Sequence, residues 1–324
     1  MSTLLIAPSL LLADAPCAPP ESMKERLQGK PDAATLTELG VWFAERQQYA
    51  CAVDAFATSL QVEPEQKDLP HVAFMLGVSL YFSGETKDAI AALQQAEQLG
   101  YHDVKLHVIL ATIFDASHST KESEEEWRAA LTFDPESSTA LDALSDDLLL
   151  EGDYPGAIGL LETPRLLGQR TPQQSLNLAA AYAKTAKLDE AARVLQDGLN
   201  TSPDSLPVAN RLAETLMALL RPDEAIAVLQ LAAEKHPEDA DTSVHLLETL
   251  MAAHSEKALG VGRKLLAALP QNPKLLALVG ALEMRNGDPR SARTDLERAV
   301  ALGDQTSETK ENLAQVLKAL GNTP

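Results

Sequence analysis

Aromatic side chains are scarce in this chain: Phe, Tyr and Trp make up 4% of its 324 residues, although 45% are hydrophobic. A core with so few rings must be aliphatic, with Leu, Ala and Val filling close contacts between helices. Basic residues are the second shortage. There are 27 Lys and Arg against 47 Asp and Glu, a formal net charge of −20. Nucleic-acid binding depends on neutralising phosphates with Lys and Arg, so this balance argues against that class of partner. It argues against an anionic membrane surface for the same reason. A neutral or basic protein remains as a partner, and acidity of this size also keeps a chain soluble.

Catalytic motifs are missing as well. The seven histidines (His71, His102, His107, His118, His236, His245 and His254) form no His-Glu-x-x-His pair. There is no Gly-x-Ser-x-Gly elbow and no phosphate-cradling glycine loop. His102 and His107 stand five apart, off a common helix face, and are expected at the surface. The acidic run Glu122, Glu124, Glu125 and Glu126 opens a helix, where carboxylates meet the dipole favourably and need no cation. The expectation is a protein that is no enzyme and takes neither metal nor cofactor.

The apolar run Leu4 to Ala13 falls far short of the ~20 residues that cross a bilayer. It resembles the apolar region of a secretory signal, with Ala13-Asp14-Ala15 as a small-x-small cleavage site. Two features oppose this: no Lys or Arg precedes the run, and Pro16 would follow the cut. Residues 1–16 are read as a signal-like segment, the mature chain as one that does not insert into a membrane. The location expected is periplasmic or secreted, with the cytoplasm as the alternative. Only two cysteines occur, Cys17 and Cys51, 34 residues apart. Cys51 falls at the opening of a helix, where a free thiol would be exposed and easily oxidised. A disulfide to Cys17 would pin the N-terminal extension and needs an oxidising compartment; two unrelated cytosolic thiols are the alternative.

What the chain has in abundance is regularity. Small residues recur at Ala52, Ala89, Ser123, Ala157, Ala191, Ala225, Ala258 and Ala292, in steps of 37, 34, 34, 34, 34, 33 and 34. A Leu-small pair precedes most of them: Leu39-Gly40, Leu76-Gly77, Leu110-Ala111, Leu144-Ser145, Leu178-Ala179 and Leu212-Ala213, with Val279-Gly280 and Leu313-Ala314 further on. A large residue follows the small column by four: Phe56, Leu93, Trp127, Leu161, Leu195, Leu229 and Leu296. Pro64, Pro135, Pro203, Pro237 and Pro270 then end the second helix of a unit. A period near 34 is that of a helix-turn-helix array, so the fold class is all-α, an α-solenoid.

These four columns, with the large first-helix residues Phe43, Leu80, Phe114, Leu148, Tyr182 and Leu216, resemble the tetratricopeptide repeat. The resemblance implies a right-handed superhelix with a concave face lined by first helices, along which a protein or peptide partner lies. Eight units are expected over 33–306, after an extension and capping helix at 17–32 and before a C-terminal capping helix at 307–324. The fourth unit departs at Pro164, which must end its second helix near Glu162. The seventh is one residue short, with Leu247 in the small position and Gly262 in the large one. Both should change the local pitch.

The outward stripe of the first helices carries Val41, Phe74, Val78 and Val108 early in the chain, and Asp142, Asp146, Asn210, Glu214, Glu248 and Glu311 later. The groove is therefore expected to be apolar at one end and acidic further along. These positions carry a single Asn and no Lys, so the Lys and Asn groups of a carboxylate clamp are not assembled there. The functional expectation is a non-catalytic scaffold that takes an extended peptide or a helix of a basic or neutral partner. The alternative is a structural subunit of a cell-envelope assembly that uses its convex face or edges.

Overall fold

The computed structural model describes residues 17–64, 67–163 and 169–321. The signal-like run, Ala13-Asp14-Ala15 and Pro164 lie outside the described residues. The chain divides into two compact units, residues 1–147 and 148–324.

In the first unit a short α1 (Glu21–Lys24) leads into α2 (Ala33–Glu45), α3 (Tyr49–Val62), α4 (Leu69–Phe82), α5 (Thr86–Gln98), α6 (Val104–Ala116) and α7 (Thr120–Phe133). Helix α8 (Ser138–Glu151) spans the boundary. The second unit continues with α9 (Tyr154–Leu161), α10 (Pro172–Lys184), α11 (Leu188–Thr201), α12 (Leu206–Ala218), α13 (Pro222–Lys235), α14 (Ala240–Ala252), α15 (Ala258–Ala268), α16 (Pro273–Arg285), α17 (Pro289–Ala301) and α18 (Ser307–Ala319). Among the described residues there is no strand. Within each unit consecutive helices pack side by side, so the fold is an all-α solenoid of helix pairs.

Local chemistry explains the boundaries. Asp32, Asp239, Asn272 and Thr306 each accept a hydrogen bond from the backbone N–H three residues on, which satisfies an orphan donor of the helix they open. Thr171 and Gln174 complete a reciprocal capping box before α10. The turn inside each pair carries one residue with left-handed backbone: Gln47, Gly84, His118, Gly152, Ala186, Leu220, His254 and Gly287. Glycine holds that conformation without strain, and the other five hold it against a cost of about 1–2 kcal/mol each.

The small column is the tightest part of the core. Ala52, Ala89, Ser123, Ala157, Ala191, Ala225 and Ala292 are all 0% exposed and Ala258 is 2% exposed, which leaves no room for a longer side chain. The large column seals against the first helix. A Cβ added at Gly40 would stand 2.6 Å from the Phe56 ring, one at Gly77 2.6 Å from Leu93, and one at Gly280 2.8 Å from Leu296. The seventh pair inverts this arrangement. Leu247 is fully buried, and a Cβ on Gly262 would lie 3.1 and 3.2 Å from its methyl groups. The bulk has changed sides of one contact, so the two departures compensate each other.

Three expectations need correction. The capping helix expected within 17–32 covers only Glu21–Lys24, with Pro20 just outside as its cap; Met23 and Leu27 nevertheless pack on the cluster that contains Leu39, Phe43 and Phe56. Cys51 is buried, not exposed, because Cys17 is bonded to it and the extension lies over it. His107 is buried too, with Nδ1 2.8 Å from the Glu126 carboxylate and its ring stacked on Phe133 at 5.1 Å. Glu126 thus has a partner within the fold, while Glu124 pairs with Arg128. In the fourth pair α9 ends at Leu161, after eight residues. Buried Arg170 donates from Nε to the Leu161 carbonyl at 2.9 Å and so satisfies an acceptor the shortened helix leaves open.

Candidate functional site

Within the first unit α2 touches α4 and α4 touches α6; within the second, α10, α12, α14, α16 and α18 touch in succession. Among the described residues, neighbouring second helices do not approach to the same degree. Each unit is therefore curved towards its first helices, whose free stripe forms the inner face. Two register positions make up that stripe: the residue three before the small one (Phe74, Val108, Asp142, Asn210) and the residue just after it (Val41, Val78, Asp146, Glu214, Glu248).

Along α4 and α6 of the first unit the inner face is apolar. Phe74, Met75 and Val78 of α4 face Val104, Lys105, Val108 and Ile109 of α6 across an open concavity of about 260 Å³, with Ser137 at its edge. Val78 and Val108 are half-buried walls. Phe74, expected on the open stripe, is instead 6% exposed and forms the floor. The reason is Tyr101, whose ring stacks on Phe74 at 4.3 Å. Burial, with a smaller push from Asp103, lifts the Tyr101 hydroxyl above its ordinary pKa, so it stays neutral beside this apolar surface. Asp142 is half-buried and Asp146 exposed on α8.

In the second unit the stripe is polar, and its groups already have partners. Asn210 donates from Nδ2 to Thr242 Oγ1 at 3.1 Å, and its Oδ1 lies 3.3 Å from His245 Nδ1. Glu214 accepts from Arg211 at 2.8 Å, one helical turn back. Glu248 pairs with Lys274 of α16 at 2.8 Å. Two of the carboxylates expected along an acidic groove are thus paired within the fold, and Asn210 bridges neighbouring helices. Glu311 is exposed. Among the described residues no group of three or more His, Cys, Asp or Glu could hold a metal ion.

One feature of the face went unread in the sequence. Trp42, beside Val41 on α2, lines a further open groove of about 350 Å³ with Met23, Thr37, Glu38 and Glu45. Its signal was present, since Trp42 is one of only two tryptophans. Met23, which lines it, belongs to the extension that Cys17 bonds to Cys51.

Residues 183–253, from the end of α10 to the end of α14, match the model of the tetratricopeptide repeat family. That stretch is built of tetratricopeptide repeats. The C-terminal part of a repeat-containing protein of this type from Cytophaga hutchinsonii is similar over 86% of this chain and 99% of that one, with 15% identity and a TM-score of 0.58. A tetratricopeptide repeat protein from Parabacteroides merdae is similar over 88% of this chain and 98% of that one, with 15% identity and a TM-score of 0.48. At such identity the first of these likenesses speaks to the fold alone. No curated protein matches this chain.

Proposed function

We propose that this tetratricopeptide repeat protein is a non-catalytic scaffold that holds an extended peptide or a helix of a partner protein against its first-helix face. The observation that carries the reading is the open apolar concavity between α4 and α6, where Val78 and Val108 present hydrophobic surface on the inner side of the first unit. Exposed apolar surface that the fold does not cover is characteristic of a binding site. The net charge of −20 favours a basic partner by steering its approach. The Cys17–Cys51 disulfide fits an oxidising compartment, the periplasm or the exterior, better than the cytoplasm. Among the described residues no helix is long and apolar enough to cross a membrane.

The test is capture of partners by wild type beside Val78→Glu/Val108→Glu, followed by calorimetry with the purified captured protein. Loss of affinity in the double variant supports the groove; equal affinity rejects it. The triple variant Asp142→Lys/Asp146→Lys/Glu214→Lys reports separately on charge. A second reading, assembly through edges, is favoured by Leu150 and Leu220, which are 86% and 88% exposed near the turns within pairs. Under that reading Leu150→Ser/Leu220→Ser loses the captured partner while the valine variant keeps it.

A further inference from the structure

The extension at residues 17–32 does more than cover the end of the first helix pair. Its helix α1 has four residues, too few to hold a place unaided. Three attachments fix it. Cys17 is bonded to Cys51 of α3 with a Cα–Cα distance of 5.3 Å. Arg26 donates to Glu38 at 2.6 Å and to Thr35 Oγ1 at 2.9 Å, both on α2. Met23 and Leu27 rest on the cluster that contains Leu39, Phe43 and Phe56. So held, the strap sets Met23 opposite Val41 and Trp42, and the groove of about 350 Å³ lies between them.

From this geometry we infer that the disulfide-held strap completes a docking groove at the N-terminal end of the inner face, and that its occupant is a peptide segment with a large aliphatic side chain flanked by basic residues. The inference rests on the scaffold reading and adds a place, a partner chemistry and a dependence on the strap. The apolar part follows from the walls. A thioether adapts to irregular aliphatic shapes, and tryptophan is among the residues that carry most binding energy at interfaces. The charges at the rim are already matched: Glu38 by Arg26, and Glu45 by Arg46, 3.9 Å away, whose guanidinium also lies 4.0 Å from the centre of the Trp42 ring. The groove itself therefore selects an uncharged side chain. The sign of the flanking charge is set by the whole chain, which at −20 attracts a basic segment and repels an acidic one.

Calorimetry with three synthetic peptides tests this on the full oxidised protein: Leu-Leu between pairs of Arg, Ser-Ser between the same arginines, and Leu-Leu between pairs of Glu. The first peptide is expected to bind, and the other two to bind at least about tenfold more weakly. Met23→Ala keeps the disulfide and removes one wall; it should weaken the first peptide by about tenfold, as should Trp42→Ala. Cys17→Ser/Cys51→Ser, which frees the strap, should do the same. No binding of the first peptide, or an affinity within about twofold of wild type in both the Met23 and the cysteine variants, overturns the inference. If binding is lost only in the valine variant, the scaffold reading stands and the strapped groove falls.

Discussion

The inverted contact of the seventh pair makes a stringent test of how these helices are held. Elsewhere the small residue lies on the first helix and the large one on the second, as in Gly40 with Phe56 or Gly280 with Leu296. Here Leu247 occupies the first helix and Gly262 the second, with Val279 of the next first helix closing the site 3.0 Å from where a Gly262 Cβ would be. Leu247→Ala removes three buried carbons and leaves a cavity, a loss of about 2–5 kcal/mol. Gly262→Leu drives a side chain into filled space at about 1–3 kcal/mol, offset by about 1 kcal/mol gained in replacing a helical glycine. In the double variant the new leucine enters the space the old one vacates. Its loss should therefore fall short of the summed single losses by about 1–3 kcal/mol. Urea denaturation of all four proteins, followed by circular dichroism, measures this from the midpoints. Additive losses would refute the compensation and show that the two departures are independent.

Other outcomes follow from the same structure. Cys17→Ser/Cys51→Ser opens a closure spanning 34 residues, worth about 4 kcal/mol in the chain-entropy model, and hydrogen exchange should accelerate in α2 and α3; unchanged exchange contradicts the pinning role. Leu220→Gly relieves a left-handed backbone at φ 58° and removes an exposed leucine, so the urea midpoint should rise by an amount equivalent to about 1 kcal/mol. Asp115→Ala strips the acceptor from Trp127 Nε1, 3.0 Å away, and from Ser123 Oγ, and should cost about 1–3 kcal/mol in the same assay. Among the described residues the buried Glu283 carboxylate has Arg263 at Oε1 and no hydrogen-bond partner at Oε2; burial lifts its pKa above the ordinary carboxylate range, although the Arg263 hydrogen bond opposes this. A carboxyl that holds its proton more tightly folded than unfolded stabilises the fold as pH falls through that window. Glu283→Gln should thus be the more stable protein at neutral pH, with an advantage that shrinks towards about pH 5; a widening gap would contradict it.

The helix pairs were legible because the contacts that define them lie at fixed sequence offsets. A small residue and its large partner stand 16 apart in Gly40–Phe56, Gly77–Leu93 and Gly280–Leu296, so the pattern on the page is the contact in space. The same register would have placed His107. It occupies the position four before the small residue, where Leu36, Ala73, Leu141, Ser175, Ala209, Ser243 and Leu276 are all at most 3% exposed. Polarity suggested the surface, while register required the interior. Stacking on Phe133 and a bond to Glu126 are what a histidine needs to satisfy both.

The inner face was harder to read because its state depends on residues outside the repeat columns. Phe74 and Val108 hold the same register position, yet one is buried and the other half-buried. The difference is Tyr101, which follows the left-handed Gly100 and so turns back over Phe74. Charge pairing is equally non-local. Glu248 is an acidic residue in the sequence, but its partner Lys274 sits in the first turn of the next first helix, and only the packing of α14 on α16 brings them to 2.8 Å. A column of acidic letters therefore overstates the field of the groove wherever the neighbouring helix contributes a cation. In the first unit the proposed recognition surface depends less on charge than on the hydrophobic area that Tyr101 and the disulfide-held Met23 leave open. Substitutions that move those two residues should change partner affinity more than reversing Glu214 or Glu248, whose charges Arg211 and Lys274 already offset.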